Sequence, residues 1–186
     1  GMAGTEESFK QLSGQSITLL HVATHGFYSP LTGHYTAQRS FEEQALSRSG
    51  LFLSGAAASL NMKKIPEDIE DGILTAKELS KLDLSNLNLA ILSACQTGLG
   101  EIVGDGVFGL QRGFKKAGAQ TLLMSLWKVD DTATQLLMAE FYKNLVSGQN
   151  KRAAFLNAQK YLRSYQNGIY DKPEYWAAFI MLDGIH

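Results

Sequence analysis

A single cysteine and a histidine–glycine pair are the groups in this chain best suited to chemistry. Cys95 is the only cysteine among 186 residues, and it closes an apolar run in Ser93-Ala94-Cys95-Gln96-Thr97-Gly98. His25 closes another run, in Ala23-Thr24-His25-Gly26. A thiolate is a strong nucleophile. An imidazole beside it raises the thiolate fraction at neutral pH and can then protonate a leaving amine. Gly26 lets a substrate backbone come close, and the N–H groups of Gly26 and Cys95 are candidate oxyanion donors, each contributing about 3 kcal/mol. The competing reading is plain: a cysteine after an apolar strand is more often a small buried hydrophobe. Spacing alone does not choose between them.

The other histidines carry less. His21 falls inside the first apolar run and reads as a hydrogen-bonded core residue; His34 lies in a polar stretch and His186 at the terminus. One cysteine and scattered histidines offer no zinc-ligand spacing, so neither a metal nor any other cofactor is expected. Gly104-Asp105-Gly106-Val107-Phe108-Gly109 matches the dinucleotide pattern G-x-G-x-x-G, with Asp130 further on. That pattern works only when its first glycine turns directly off a strand, so that pyrophosphate meets the helix N-terminus. Here Gln96 to Val103 intervene, which argues against a nucleotide.

These groups need a scaffold, and the periodicity supplies one. Residues 17–24, 87–94, 121–127 and 176–182 are short apolar runs that read as buried strands, with a further short strand at 51–54. Residues 5–13 read as a helix ended by Gly14, and 55–72 as largely irregular. Thr75 with Glu78 forms a capping box, which predicts a short helix to about Leu82. Val107, Leu110, Phe114 and Ala117 share one face of a helix over 105–117, closed by Gly118. A helix from about Thr132 to Val146 is expected to open at Asp131 or Thr132 and end at Gly148, and another runs from about Asn150 to Gln166. Apolar strands alternating with helices imply an α/β domain: a mostly parallel sheet with helices on both faces, a three-layer sandwich. In such a sheet functional groups gather beyond the strands' carboxyl ends. Neighbouring strands would therefore bring His25 and Cys95 together.

Composition fits one ordinary domain. Hydrophobic residues make up 45% and charged residues 19%, and the net charge of −1 lacks the basic surplus of a nucleic-acid binder. No apolar run reaches the roughly 20 residues that span a bilayer, so no membrane partner is expected. A lone thiol fits a reducing, cytoplasmic setting. Gly1-Met2 reads as a tag remnant, with residues 1–4 ahead of the domain proper and further sequence expected upstream.

Several segments, in order, resemble the CHAT domain family, caspase-fold peptidase-like domains often found behind tetratricopeptide repeats. They are LLHVATHGFY, Asp71-Gly-Ile-Leu-Thr-Ala-Lys-Glu-Leu, LSACQTGLGE, GDGVFGLQRGFKKAGAQTLLMSLWKVDD and PEYWAAFIML. The resemblance covers residues 5–183, implies that 5–186 form the catalytic, C-terminal portion of such a domain, and places the catalytic pair on His25 and Cys95. It implies a caspase-like fold, cysteine endopeptidase chemistry through an acyl-enzyme, a protein or peptide substrate, and a regulatory repeat domain or partner protein. Common members read Glu at the positions of Gln96 and Asp105. Leu126-Trp-Lys-Val-Asp-Asp131 is similar to a separase segment whose acids receive a basic side chain. Lys128 replaces the first acid and Asp131 matches the second. Asp71, Glu101 and Asp105 are alternative pocket acids that also suit turns or caps. A non-catalytic interaction module on the same fold is the competing function.

Overall fold

The computed structural model describes residues 4–28, 46–61, 70–93 and 106–184. Its centre is a four-stranded sheet of β1 (Leu19–Val22), β5 (Leu89–Leu92), β6 (Thr121–Ser125) and β7 (Phe179–Asp183), in the order β1-β5-β6-β7. β1, β5 and β6 run parallel, whereas β7 returns antiparallel to β6. A second sheet, β2 (His25–Tyr28), β3 (Ser49–Phe52) and β4 (Ile73–Thr75), is antiparallel throughout.

The alternation of side chains across the pleat divides the interior into two cores. Ala90, Leu92, Leu122 and Met124 face one side, against Phe9 of α1 (Glu6–Lys10), Leu51 and Leu74 of the small sheet, Leu79 of α3 (Ala76–Leu79), and Leu110 and Phe114 of α4 (Gly106–Lys116). Leu89, Ile91 and Leu123 face the other. There they meet Leu137 and Phe141 of α5 (Asp131–Val146) and Phe155 and Leu162 of α6 (Lys151–Ser164). The expected three-layer, mostly parallel, caspase-like α/β sandwich is what forms. Among the described residues, no helix is long and apolar enough to cross a membrane.

Several elements depart from the sequence expectation. The first strand is only four residues long and lies at the edge of the sheet, so it is half exposed rather than buried; Leu19 keeps 45% of its surface in solvent. An edge strand has one neighbour, and its outer row cannot be covered by the sheet itself. His25 does not extend β1 but opens β2, a strand the periodicity does not mark. The segment expected to be irregular contains α2, Ala56–Asn61. β7 begins later than expected because Pro173 starts a short helix, α7 (Pro173–Trp176), with proline at the N-terminal position where its missing N–H costs nothing.

The capping chemistry reads through well. Thr75 Oγ1 accepts from the Glu78 N–H while Glu78 accepts from the Thr75 N–H at 3.0 Å, the reciprocal box that starts α3. Asn150 caps α6, and Asp130, rather than Asp131, caps α5 by accepting from the Ala133 N–H at 2.8 Å. Gly72 occupies a left-handed turn (φ 76°), and a Cβ there would lie 2.4 Å from the Ala56 nitrogen, so no other residue fits between α2 and β4.

Candidate active site

β1 and β5 are direct, parallel neighbours, with Val22 opposite Leu92. The chain leaves both strands on the same edge of the sheet, and β6 ends there too, with Leu92 opposite Met124. In sequence, His25 comes three residues after Val22 and Cys95 three residues after Leu92. Parallel strands stand about 5 Å apart. The sheet thus ends the two strands side by side. Cys95 itself, together with Glu101 and Asp105, lies outside the described residues.

His25 is exposed, as a general base must be to reach a substrate. Its position is set from two sides. Within β2 it pairs with Phe52, and the hydroxyl of Thr24 donates to the Phe52 carbonyl. Gly26 is buried opposite Leu51, and the aromatic rings of Phe27 and Phe52 pack at 4.9 Å beside it. The histidine therefore sits where the chain crosses from the large sheet to the small one.

His21 departs from its expected role. It is hydrogen-bonded, but it is exposed rather than in the core. Its Nε2 lies 2.9 Å from Ser93 Oγ and its Nδ1 2.7 Å from the Tyr142 hydroxyl on α5. Partial burial holds the imidazole below its ordinary pKa and the Tyr142 phenol above its own, so both are neutral at pH 7. Ser93 is further fixed by its N–H, which donates to the Val22 carbonyl at 3.0 Å. No sequence signal marks Tyr142, which stands 121 positions from His21.

The proposed pocket acids separate by role. Asp71 accepts from the Ile73 N–H at 2.8 Å, closing the turn that enters β4. Asp131 is exposed in the first turn of α5, beyond the carboxyl end of β6, and is free of the capping duty that Asp130 performs. Asp131 thus lies at the sheet edge where β1, β5 and β6 end, whereas Asp71 enters the small sheet.

Sequence reasoning missed a carboxylate cluster around Lys10 of α1. Glu6, Glu70 and Glu78 bring oxygens within 4.8 Å of one another, and the Lys10 ammonium lies 2.7, 2.7 and 3.2 Å from them. The lysine occupies the position a cation would take. Glu6, 1% exposed, also accepts from the Gly72 N–H at 2.9 Å, which ties α1 to the turn before β4. Burial pushes its carboxyl up to about 7 despite the opposing pull of Lys10. Between α1 and the end of β1 runs a groove of about 380 Å³, lined by Phe9, Leu12, Leu20, Val22 and Thr24.

The sequence has a counterpart among known families. The sequence matches the CHAT domain over residues 1–184. The chain belongs to the CHAT domain family. It is 34% identical to tetratricopeptide repeat protein 28 of Mus musculus over 110 residues and 32% identical to that of Homo sapiens over 114 residues. Those matches cover 59% and 61% of this chain but only 4% of either relative. CHAT domains are a caspase-like family, and the caspase-like sandwich described above agrees with that membership.

Proposed function

We propose that this CHAT domain is a cysteine endopeptidase in which His25 and Cys95 form the catalytic dyad. The observation that carries the reading is the pairing of β1 with β5 in the register Val22 to Leu92, which sends the two segments off one sheet edge together. His25 takes the Cys95 proton, and the sulfur attacks the scissile carbonyl carbon. The tetrahedral oxyanion is held by the N–H groups of Gly26 and Cys95. Collapse breaks the C–N bond as His25 protonates the departing amine, leaving a thioester. Water, deprotonated by His25, then releases the acid and restores the thiol.

Asp131 is the acid proposed to receive a basic side chain of the substrate, because it is exposed at the same edge and carries no cap. A protein substrate fits the exposed histidine. The relatives are named for tetratricopeptide repeats, which supports a repeat module or partner protein as the element that regulates the site.

The test is covalent. A peptide electrophile bearing arginine should label Cys95, with the rate falling about 100-fold or more in His25→Ala, the usual scale of general-base loss. Asp131→Asn should slow the arginine probe while leaving a neutral probe unchanged. Labelling indifferent to His25 would remove the dyad and favour the interaction module.

A further inference from the structure

The pleat turns Leu89 and Ile91 of β5 toward α5, and Ser93, two residues on, continues that row beside His21 of β1. Three side chains form a line there. Ser93 Oγ lies 2.9 Å from His21 Nε2, and His21 Nδ1 lies 2.7 Å from the Tyr142 hydroxyl. A neutral imidazole has one N–H. With that proton on Nδ1 the ring donates to the phenol, and Nε2 accepts from the serine hydroxyl. Ring and phenol are both neutral at pH 7, because partial burial lowers one pKa and raises the other. A nucleophile bonded to a base, with the base bonded to a group that orients it, is the core arrangement of nucleophilic catalysis. His21 is exposed and Ser93 half-buried, so a reactant can reach the pair from solvent. Stability alone does not ask for the line: an apolar residue at position 21 would also pack on the Tyr142 ring, whose centre lies 5.9 Å from that of the imidazole.

We propose that Ser93 and His21 form a serine-based acyl-transfer site, with neither His25 nor Cys95 as a member, in which Tyr142 is the positioning residue and activated esters are the substrates. The class follows from the orienting group. A phenol turns the ring but brings no negative charge to offset an imidazolium, as the aspartate of a serine peptidase triad does. The pair therefore suits a good leaving group rather than an amide. Its surroundings favour an apolar acyl group: Leu19 stands two residues before His21 on the same face of β1, and Val146 one turn after Tyr142 on α5, and they are 45% and 90% exposed. In the reaction Nε2 takes the Ser93 proton as Oγ bonds to the ester carbonyl carbon. Collapse breaks the bond to the leaving oxygen, which departs with the proton from Nε2 and leaves an acyl-serine. Water then gives a proton to Nε2, adds to the acyl carbon, and Oγ leaves with that proton.

The probe is an alkyl fluorophosphonate, which phosphonylates activated hydroxyls: Oγ bonds to phosphorus, fluoride leaves, and the hydroxyl proton passes to Nε2. Peptide mapping of the labelled chain should place the phosphonyl group on Ser93, and Ser93→Ala should remove it. His21→Ala should slow labelling about 100-fold or more, the scale of a lost general base. His21→Gln can still hydrogen-bond to both hydroxyls but cannot take a proton; it should be as slow, and it carries the test where the alanine variant folds poorly. Tyr142→Phe keeps the ring and removes only the hydroxyl. It should lower the limiting rate of labelling about tenfold at an unchanged half-saturating probe concentration, the mark of misplaced chemistry rather than lost binding. The ester class is read separately. Cys95 is the only thiol in the chain, so iodoacetamide silences it. Hydrolysis of p-nitrophenyl acetate by the alkylated chain should then fall about 100-fold in Ser93→Ala and His21→Gln alike. Absence of label on Ser93 in the parent chain, a Ser93 label whose rate ignores His21→Gln, or ester hydrolysis unchanged in Ser93→Ala would each overturn the proposal.

Discussion

Glu6 is a carboxylate held where a charge is costly. Its side chain is 1% exposed, and its pKa rises to about 7 because burial outweighs the attraction of Lys10. Glu78, more open, moves the other way: against the upward push of burial, the hydroxyl and N–H of Thr75 and the Lys10 ammonium draw it down. For Glu6 the sign of the linkage is clear. Between the ordinary value of 4.5 and about 7, the folded chain holds a proton that the unfolded chain has released. Its contribution is therefore favourable at low pH and lost as pH rises through 7. Glu6→Gln should gain stability relative to the parent between pH 5 and pH 8, by up to about 3 kcal/mol for a shift of this size. Lys10→Met should do the reverse at pH 7.5, losing about 2 kcal/mol. That is less than for a wholly buried pair, since Glu70 stays largely exposed. Urea titrations of the three chains at both pH values would decide it. A Glu6→Gln chain weakened equally at both would mean that the carboxylate is bound as an anion throughout.

At the level of elements, adjacent aspartates at the start of α5 divide two tasks. Asp130 takes the cap, with its carboxylate on the Ala133 N–H, and Asp131 points its charge into solvent in the first turn. Asp130→Ala should cost about 1 kcal/mol of stability, the usual loss of an N-cap. Asp131→Ala should leave thermal stability almost unchanged, and any loss of reactivity toward an arginine probe would then belong to the site. Equal thermal effects would reverse the assignment. The sequence placed this helix to within a residue, yet it put the cap on Asp131 or Thr132, because Asp-Asp-Thr offers three good caps and only tertiary packing selects one. The apolar runs of β5 and β6 were legible because both faces are buried. β2 was not: His25-Gly-Phe-Tyr has no apolar alternation of its own and becomes a strand by pairing with β3. The His21–Ser93–Tyr142 line was beyond local pattern for the same reason, since its bonds join residues 72 and 121 positions apart.

Across the whole molecule, one sheet serves two cores. Phe114, fully buried on the α4 side, and Phe141, fully buried on the α5 side, never touch the same cluster, but both pack against rows of β5 and β6 that are continuous through the backbone. Ala90 and Leu92 serve the first core; Leu89 and Ile91, in the same strand, serve the second. Loss of either layer leaves the other resting on a sheet with one bare face, and exposure of that apolar row opposes the half-folded state at about 25 cal/mol per Å². The two layers should therefore unfold together. Trp127 and Trp176, the chain's two tryptophans, both border the Phe141 core, so their fluorescence reports one side alone. Phe114→Ala acts on the opposite side and should still shift the fluorescence midpoint in urea, by the equivalent of about 3–5 kcal/mol, as Phe141→Ala does directly. A tryptophan transition that ignores Phe114→Ala while far-ultraviolet dichroism falls early would mean that the layers are separable. The sheet edge at which β1 and β5 end would then be held by one layer rather than by both.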